Sequence, residues 1–267
     1  MAPWSIDELH GPDGEDWRVP VSELESRITE LSNNLAEAGI EAALIQSPVD
    51  LYYYAGGRQN GALLIPAVDS AASTEQGGDG ATFFVRRSVE RAKFEAGADD
   101  SCLEIQKFPS LRIFAETLTN MGIDGGIGLQ LGEIPADFGQ KFKNALAPLG
   151  EGKDCTAIVH HQRETKSDWE LEMMREGAKV QRQMFEAVKQ SVTLGATELD
   201  LVAAAEEVSR RHGFGGTVQM RRFPLQCDRA VIASGRAGGV PSFFDSAIGG
   251  TGPHPMAGMG SGFTKLE

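Results

Sequence analysis

His254 sits in Gly252-Pro253-His254-Pro255 and is the sole histidine after residue 212. An imidazole titrates near pH ~6.5, so it could shuttle a proton to or from a reacting group, although loop histidines are commonly just solvated. His160-His161 could be mistaken for metal ligands. Adjacent residues in an extended segment face opposite ways and do not easily bind one ion, so they read as linker. Ser234 and Ser242 invite a serine-hydrolase reading, but no G-x-S-x-G elbow exists and no Asp-His pair has an order that suggests a triad. Gly125-Gly126-Ile127-Gly128-Leu129-Gln130-Leu131-Gly132 approaches a dinucleotide fingerprint with its last glycine displaced. An apolar strand occupies that motif, so no helix N-terminus is there to cradle phosphate.

The elements that must position these residues follow a strand and helix alternation. Residues 1–20 are polar and read as an irregular arm. Ser22-Glu23-Leu24-Glu25 has the S-x-x-E form of a capping box, Leu24, Ile28, Leu31 and Leu35 fall on one helical face, and Gly39 supplies a stop. Ile40–Gln46, Ala62–Pro66, Ala81–Val85, Leu103–Phe108 and Ile123–Leu131 read as strands. Glu90–Ala96, Ser110–Gly122 and Asp137–Leu146 read as helices. Asp50 to Gly57 continues the first strand region into a glycine turn, and residues 69–80 form a small-residue polar loop. The order predicts an α/β (α+β) domain with a largely parallel or mixed sheet.

Further on, Ser167-x-x-Glu170 makes a second capping box ahead of a long helix reaching toward Val192. Thr197-Glu198-Leu199-Asp200 caps another, with Leu199, Val202 and Val208 inward and a stop at His212-Gly213. Arg229–Ala233 is a plausible strand, and residues 234–262 are dense in Gly, Pro and Ser. The expected organisation is an arm over 1–20, a first domain over 21–157 and a second unit over 158–267.

Composition narrows the functions. With 38 Asp+Glu against 25 Lys+Arg the formal charge is -13. That field repels nucleic acid and anionic membranes, and Arg86-Arg87 and Arg221-Arg222 are too short to supply a basic patch. Three scattered cysteines without C-x-x-C spacing suggest neither disulfides nor a zinc knuckle and fit a reducing cytoplasm. The acidic N-terminus does not read as a signal peptide, and no stretch approaches a membrane span.

The run Arg163-Glu164-Thr165-Lys166-Ser167-Asp168-Trp169-Glu170-Leu171-Glu172-Met173-Met174-Arg175-Glu176-Gly177-Ala178 resembles the R-x-x-K-S-x-x-E-[IL]-x-x-[ML]-R-x-A region that opens the catalytic domain of creatinases and Xaa-Pro peptidases. Gly177 falls where that family prefers alanine. Gly195-Ala196-Thr197-Glu198-Leu199-Asp200-Leu201 is similar to the family's G-x-T-E-x-D-L helix start, and Val231-Ile232-Ala233-Ser234-Gly235 to its [IV]-x-x-S-G strand end. The resemblance implies a creatinase-type N-terminal α/β domain followed by the first part of a pita-bread catalytic domain. It implies hydrolysis of an amide or C-N bond in a peptide or small substrate, with sister lyases acting on small sulfonium compounds. It also implies a homodimer, in which Arg58, following Tyr52-Tyr53-Tyr54, meets a substrate carboxylate at the partner subunit's active site, while the tyrosines read equally as filling an interface or the core.

The resemblance further implies a pair of divalent ions (Mn, Co, Zn or Fe) held by two Asp, one His and two Glu, which lower the pKa of a bound water. None of those five ligands is expected among these residues. Asp245 is the sole aspartate after 228, Glu267 the sole glutamate after 207, and with His254 they cannot rebuild such a site. His254 resembles the histidine that creatinase-like enzymes use as acid/base near the substrate, although the stretch from Arg236 to Gly252 departs from the family's S-G-x-N pattern. The alternative expectation is a non-catalytic, dimer-forming or small-molecule-binding remnant.

Overall fold

The stripe of Leu24, Ile28, Leu31 and Leu35 forms the inner face of α1 (Val21–Glu37) in a computed structural model that describes residues 14, 16–72, 80–215, 231–241, 249–253 and 260–267. All four side chains are buried, and Gly39, at φ +62°, turns the chain out of the helix. The first capping box does not form. The helix begins at Val21 behind Pro20, whose carbonyl accepts from the Glu23 and Leu24 amides, so Ser22 already lies inside the first turn and does not occupy the capping position.

Six strands follow: β1 (Ala42–Ile45), β2 (Gly61–Pro66), β3 (Thr82–Val85), β4 (Glu104–Lys107), β5 (Ile127–Leu129) and β6 (Lys153–Asp154). Their order across the sheet is β4-β3-β2-β1-β5-β6. β2 pairs antiparallel with both β1 and β3, while β3/β4, β1/β5 and β5/β6 are parallel, so β2 alone runs against the rest. The carboxyl ends of the other strands therefore share one edge of the sheet with the entry into β2.

Alternation along the strands divides the core in two. Ala43, Ile45, Leu63, Ile65, Phe83 and Val85 pack against α1, α2 (Pro48–Ala55) and α3 (Val89–Glu95). Ala42, Leu44, Ala62, Leu64, Phe84, Ile127 and Leu129 pack against α4 (Phe114–Asn120) and α5 (Ala136–Leu146). Phe114 is central to the second layer, with ring centroids 5.4 Å from Phe84, 5.1 Å from Phe108 and 6.1 Å from Phe142.

Two segments differ from expectation. Asp50 to Ala55 is helical rather than the approach to a turn, because Pro48 at the first helical position presets φ and Leu51, Tyr53 and Tyr54 then fall on core-facing positions. The segment read as an extended linker is α6 (Thr156–Gln162), with Val159 buried against the α1 side of the sheet. The chain divides into two units, residues 1–166 and 167–267, so α6 belongs to the first.

In the second unit, α7 (Asp168–Ser191) opens on the expected box: the Glu170 amide donates to Ser167 Oγ at 3.2 Å and the Ser167 amide to the Glu170 carboxylate at 3.1 Å. α8 (Glu198–Arg211) carries the reciprocal pair Thr197 and Asp200. Its buried stripe is Glu198, Leu201, Ala205 and Ser209, rather than Leu199, Val202 and Val208, which are half-buried. Lys265 bridges Thr197, and the Leu266 amide donates to the Ala196 carbonyl at 2.9 Å, fastening the end of the chain to the start of α8. Of the expected strand Arg229–Ala233, Arg229 and Ala230 lie outside the described residues, and Val231–Ala233 joins no ladder among them.

Truncating Phe114 to alanine removes the ring on which three others lean. Urea unfolding of the Phe114→Ala chain is expected to give a loss of about 3–5 kcal/mol.

Candidate functional site

The turn after α2 presents Arg58. Two of the three tyrosines before it are committed to the interior. Tyr54 is buried, and its hydroxyl donates to Gln162 Oε1 at 2.8 Å, with burial pushing the phenol well above its usual titration range. The Tyr53 ring lies beneath the Arg27 guanidinium, 4.0 Å from its centroid, while Arg27 Nη1 donates to the Tyr53 carbonyl at 2.8 Å. Tyr52 remains 43 % exposed. Gly56, at φ +68°, ends the helix, and a Cβ there would stand 2.5 Å from the Glu95 carbonyl oxygen, so only glycine allows this approach. Gln59 Nε2 and Arg91 Nε donate to the Glu95 carboxylate at 3.3 Å and 2.7 Å. The backbone under Arg58 is thus fixed against α3, while its side chain is exposed and meets no carboxylate among the described residues.

Beside this turn the parallel strands β1 and β5 end together, the kind of fork where open α/β sheets place ligands. Here the protein's own side chains occupy it. Gln130 Oε1 accepts from the Gln46 and Ser47 amides at 2.7 Å and 2.9 Å, and Gln130 Nε2 donates to Asp50 Oδ2 at 2.6 Å. Arg163 Nη1 donates to Asp50 Oδ1 at 2.7 Å. Asp50 and Gln130 are fully buried, and their hydrogen bonds replace the water they gave up. None of Asp50, Gln130 and Arg163 was singled out for this role from sequence, although a carboxylate and an amide inside the apolar runs DLYYYA and IGLQL were available signals.

A third polar group lies on α6. His160 Nε2 is 2.7 Å from Glu133 Oε1, and His161, mostly exposed, faces Glu164 at 3.4 Å. On a helix these adjacent histidines diverge by about 100°, so they still do not share one ion. Asp154 is pulled upward by burial, but the Thr156 hydroxyl and amide and the Leu131 amide together hold its carboxyl below the usual range. Cys155, next to it, is buried and pushed up to about 12, which leaves an inert thiol. Gly128 of the glycine-rich run lies in β5, where an added Cβ would meet the Cys155 Cβ at 2.9 Å, so this glycine serves packing.

In the second unit, buried Glu198 collects three donors. The Ser234 amide and hydroxyl reach its Oε1 at 2.6 Å and 3.0 Å, and the Gly262 amide its Oε2 at 2.9 Å. Ser234 therefore spends its proton on a carboxylate and has no histidine base among these contacts. His254 and Ser242 lie outside the described residues. Among the described residues no three His, Cys, Asp or Glu side chains converge to hold a metal ion, so these residues do not fit a two-metal centre.

Residues 27–165 match the family model described as the Creatinase/Prolidase N-terminal domain. The Xaa-Pro dipeptidase of Pyrococcus furiosus is 24% identical over 193 residues, covering 71% of this chain and 49% of that protein. An uncharacterized hydrolase/peptidase of Sinorhizobium fredii is 34% identical over 94 residues, 34% of this chain and 24% of its own length. The chain thus spans half or less of the curated relatives it matches. The Xaa-Pro dipeptidase structure from Bacillus anthracis superposes with a TM-score of 0.58 at 21% identity, over 71% of this chain and 50% of that one. Dipeptidase PepE of Mycobacterium ulcerans gives 0.59 at 18% identity, over 74% and 52%. This likeness shows the fold, a mixed α/β chain of the pita-bread peptidase type.

The buried network and the Asp154 carboxyl each give a measurable outcome. Gln130→Ala leaves two backbone N–H groups without an acceptor, at roughly 1–3 kcal/mol each, and amide hydrogen exchange at Gln46 and Ser47 is expected to accelerate. The depressed Asp154 carboxyl means that the unfolded chain takes up this proton first as pH falls. Its contribution is complete above the unfolded value of about 3.9 and is lost as pH drops through the lower native value. Asp154→Asn should therefore flatten the acid limb of a urea-midpoint titration below about pH 4.

Proposed function

The chain belongs to the creatinase/prolidase N-terminal domain family, and from that premise we propose that the full-length protein is an Xaa-Pro peptidase-type hydrolase cleaving the amide bond of a peptide, or the C-N bond of a small substrate. The observation that carries this reading is continuity: the family match over residues 27–165 is followed by α7 and α8, each opened by the capping box whose residues resemble the start of the pita-bread domain.

In this reading the first unit presents Arg58 to the active site of the partner subunit in a homodimer. A guanidinium can take a substrate carboxylate through two parallel N–H bonds, and a fixed turn lowers the entropy lost in doing so. Exposure of Arg58 above a backbone locked on Glu95 supports that role. His254 is assigned proton transfer near the substrate, because an imidazole changes charge near neutral pH. The polypeptide by itself binds no metal pair and is inactive. Its three scattered cysteines without C-x-x-C spacing suit a reducing, cytoplasmic setting.

The test is an activity panel of Xaa-Pro dipeptides, creatine and a sulfonium compound, run on this chain and on a version extended through any downstream reading frame. Xaa-Pro cleavage by the extended form only is expected. Turnover of creatine or the sulfonium compound instead would reassign the reaction. Calorimetry should detect no stoichiometric pair of Mn²⁺, Co²⁺ or Zn²⁺ on this chain, and tight binding of two ions would overturn its predicted inactivity.

A further inference from the structure

The sheet gathers cations that the sequence scatters. Gly61 is paired with Val85, and Val85 with Lys107. The Arg86 amide donates to the Asn60 carbonyl at 2.8 Å, and the Phe108 amide to the Val85 carbonyl at 2.9 Å. With neighbouring strands about 4.8 Å apart and residues about 3.3 Å apart along them, Arg58, Arg86, Arg87 and Lys107 are rooted within roughly 15 Å of one another.

All four are exposed, and none has a carboxylate partner among the described residues. Their neighbours behave differently. Arg91 is taken by Glu95 at 2.7 Å, and Lys93 faces Glu90 at 3.8 Å. One of the four is also held in place, the Arg86 guanidinium lying over the Phe108 ring, 4.4 Å from its centroid, and the backbone leading into Arg58 is fixed at Gly56. In a chain of formal charge -13, an edge with four uncompensated cations is a local reversal of the field.

We propose that this edge, at the ends of β3 and β4 and the start of β2, is a docking surface for short acidic peptides whose carboxylates pair with Arg58, Arg86, Arg87 and Lys107. Guanidinium forks match carboxylates bidentately, and three of the four cations are arginines. The small extent selects against nucleic acid. A duplex carries a charge every ~1.7 Å, so one that extends past the patch meets the acidic remainder of the chain. The proposal shares Arg58 with the peptidase reading, but Arg86, Arg87 and Lys107 have no part in that reading, so affinity lost on Arg86→Glu/Arg87→Glu bears on this surface alone.

The experiment is titration of the whole chain with acetylated hexaglutamate and, separately, hexaglutamine, followed by calorimetry at low salt. Single-stranded DNA of about twelve nucleotides, about 40 Å long at ~3.4 Å per nucleotide, is the third ligand. Hexaglutamate should bind, hexaglutamine should not, and raising salt from about 0.05 to 0.3 M should weaken binding several-fold. The Arg86→Glu/Arg87→Glu chain should lose at least tenfold in affinity. Because Arg86 touches Phe108, Arg58→Glu/Lys107→Glu provides a second charge reversal without an internal contact, with the same loss expected. Equal binding of both peptides, no binding of hexaglutamate, or unchanged affinity in the second variant would overturn the proposal. Tighter binding of the DNA would overturn the choice of an acidic peptide.

Discussion

A buried carboxylate holds the first unit in register. Asp50 is fully removed from water, and its two oxygens receive Gln130 Nε2 and Arg163 Nη1. An isolated charge in that position would cost several kcal/mol, so it persists only with both donors present. The three side chains come from distant parts of the chain: α2, the exit of β5 and the end of α6. Through Gln130 the same network also acquires the last amides of the β1 exit. Sheet, helix and closing segment are consequently coupled, which is why α6 folds with the N-terminal residues and not with the second unit.

The brace shapes what the sheet edge can do. By filling the β1/β5 fork, Gln130 removes the donor array that an anionic ligand would need there. Surface chemistry moves to the neighbouring strands, where Arg58, Arg86, Arg87 and Lys107 stand outside any internal network. Tyr53 marks the division: its ring stacks with Arg27 at 4.0 Å, and Arg163 lies 5.6 Å from the same ring. These two arginines are absorbed by the fold, while Arg58, a few residues on, is left to solvent.

The second unit repeats the principle with a different residue. Glu198 is the first residue of α8, where a carboxylate also favours the positive end of the helix dipole. Its inward position displaces the apolar stripe that periodicity predicts and ties the Ser234 turn to Gly262. A serine that could be read as a nucleophile is thereby a structural donor.

Much of this was legible in the sequence because it is governed by local physics. The face Leu24, Ile28, Leu31 and Leu35, the boxes at Ser167 and Thr197, and the apolar strands around Ala43, Leu64 and Phe84 each follow from side-chain periodicity or capping chemistry within a few residues. Family membership was expected from the resemblance of the Arg163 to Ala178 motif to the opening of the family's catalytic domain, whereas the family match itself lies over residues 27–165. What only the tertiary structure decided concerns charged and polar groups: that Asp50 and Glu198 are buried, that α6 is a helix of the first unit, and that four dispersed cations share one edge. The free energy of a charge depends on which donors and acids arrive from elsewhere in the chain, and no window of neighbouring residues contains that information.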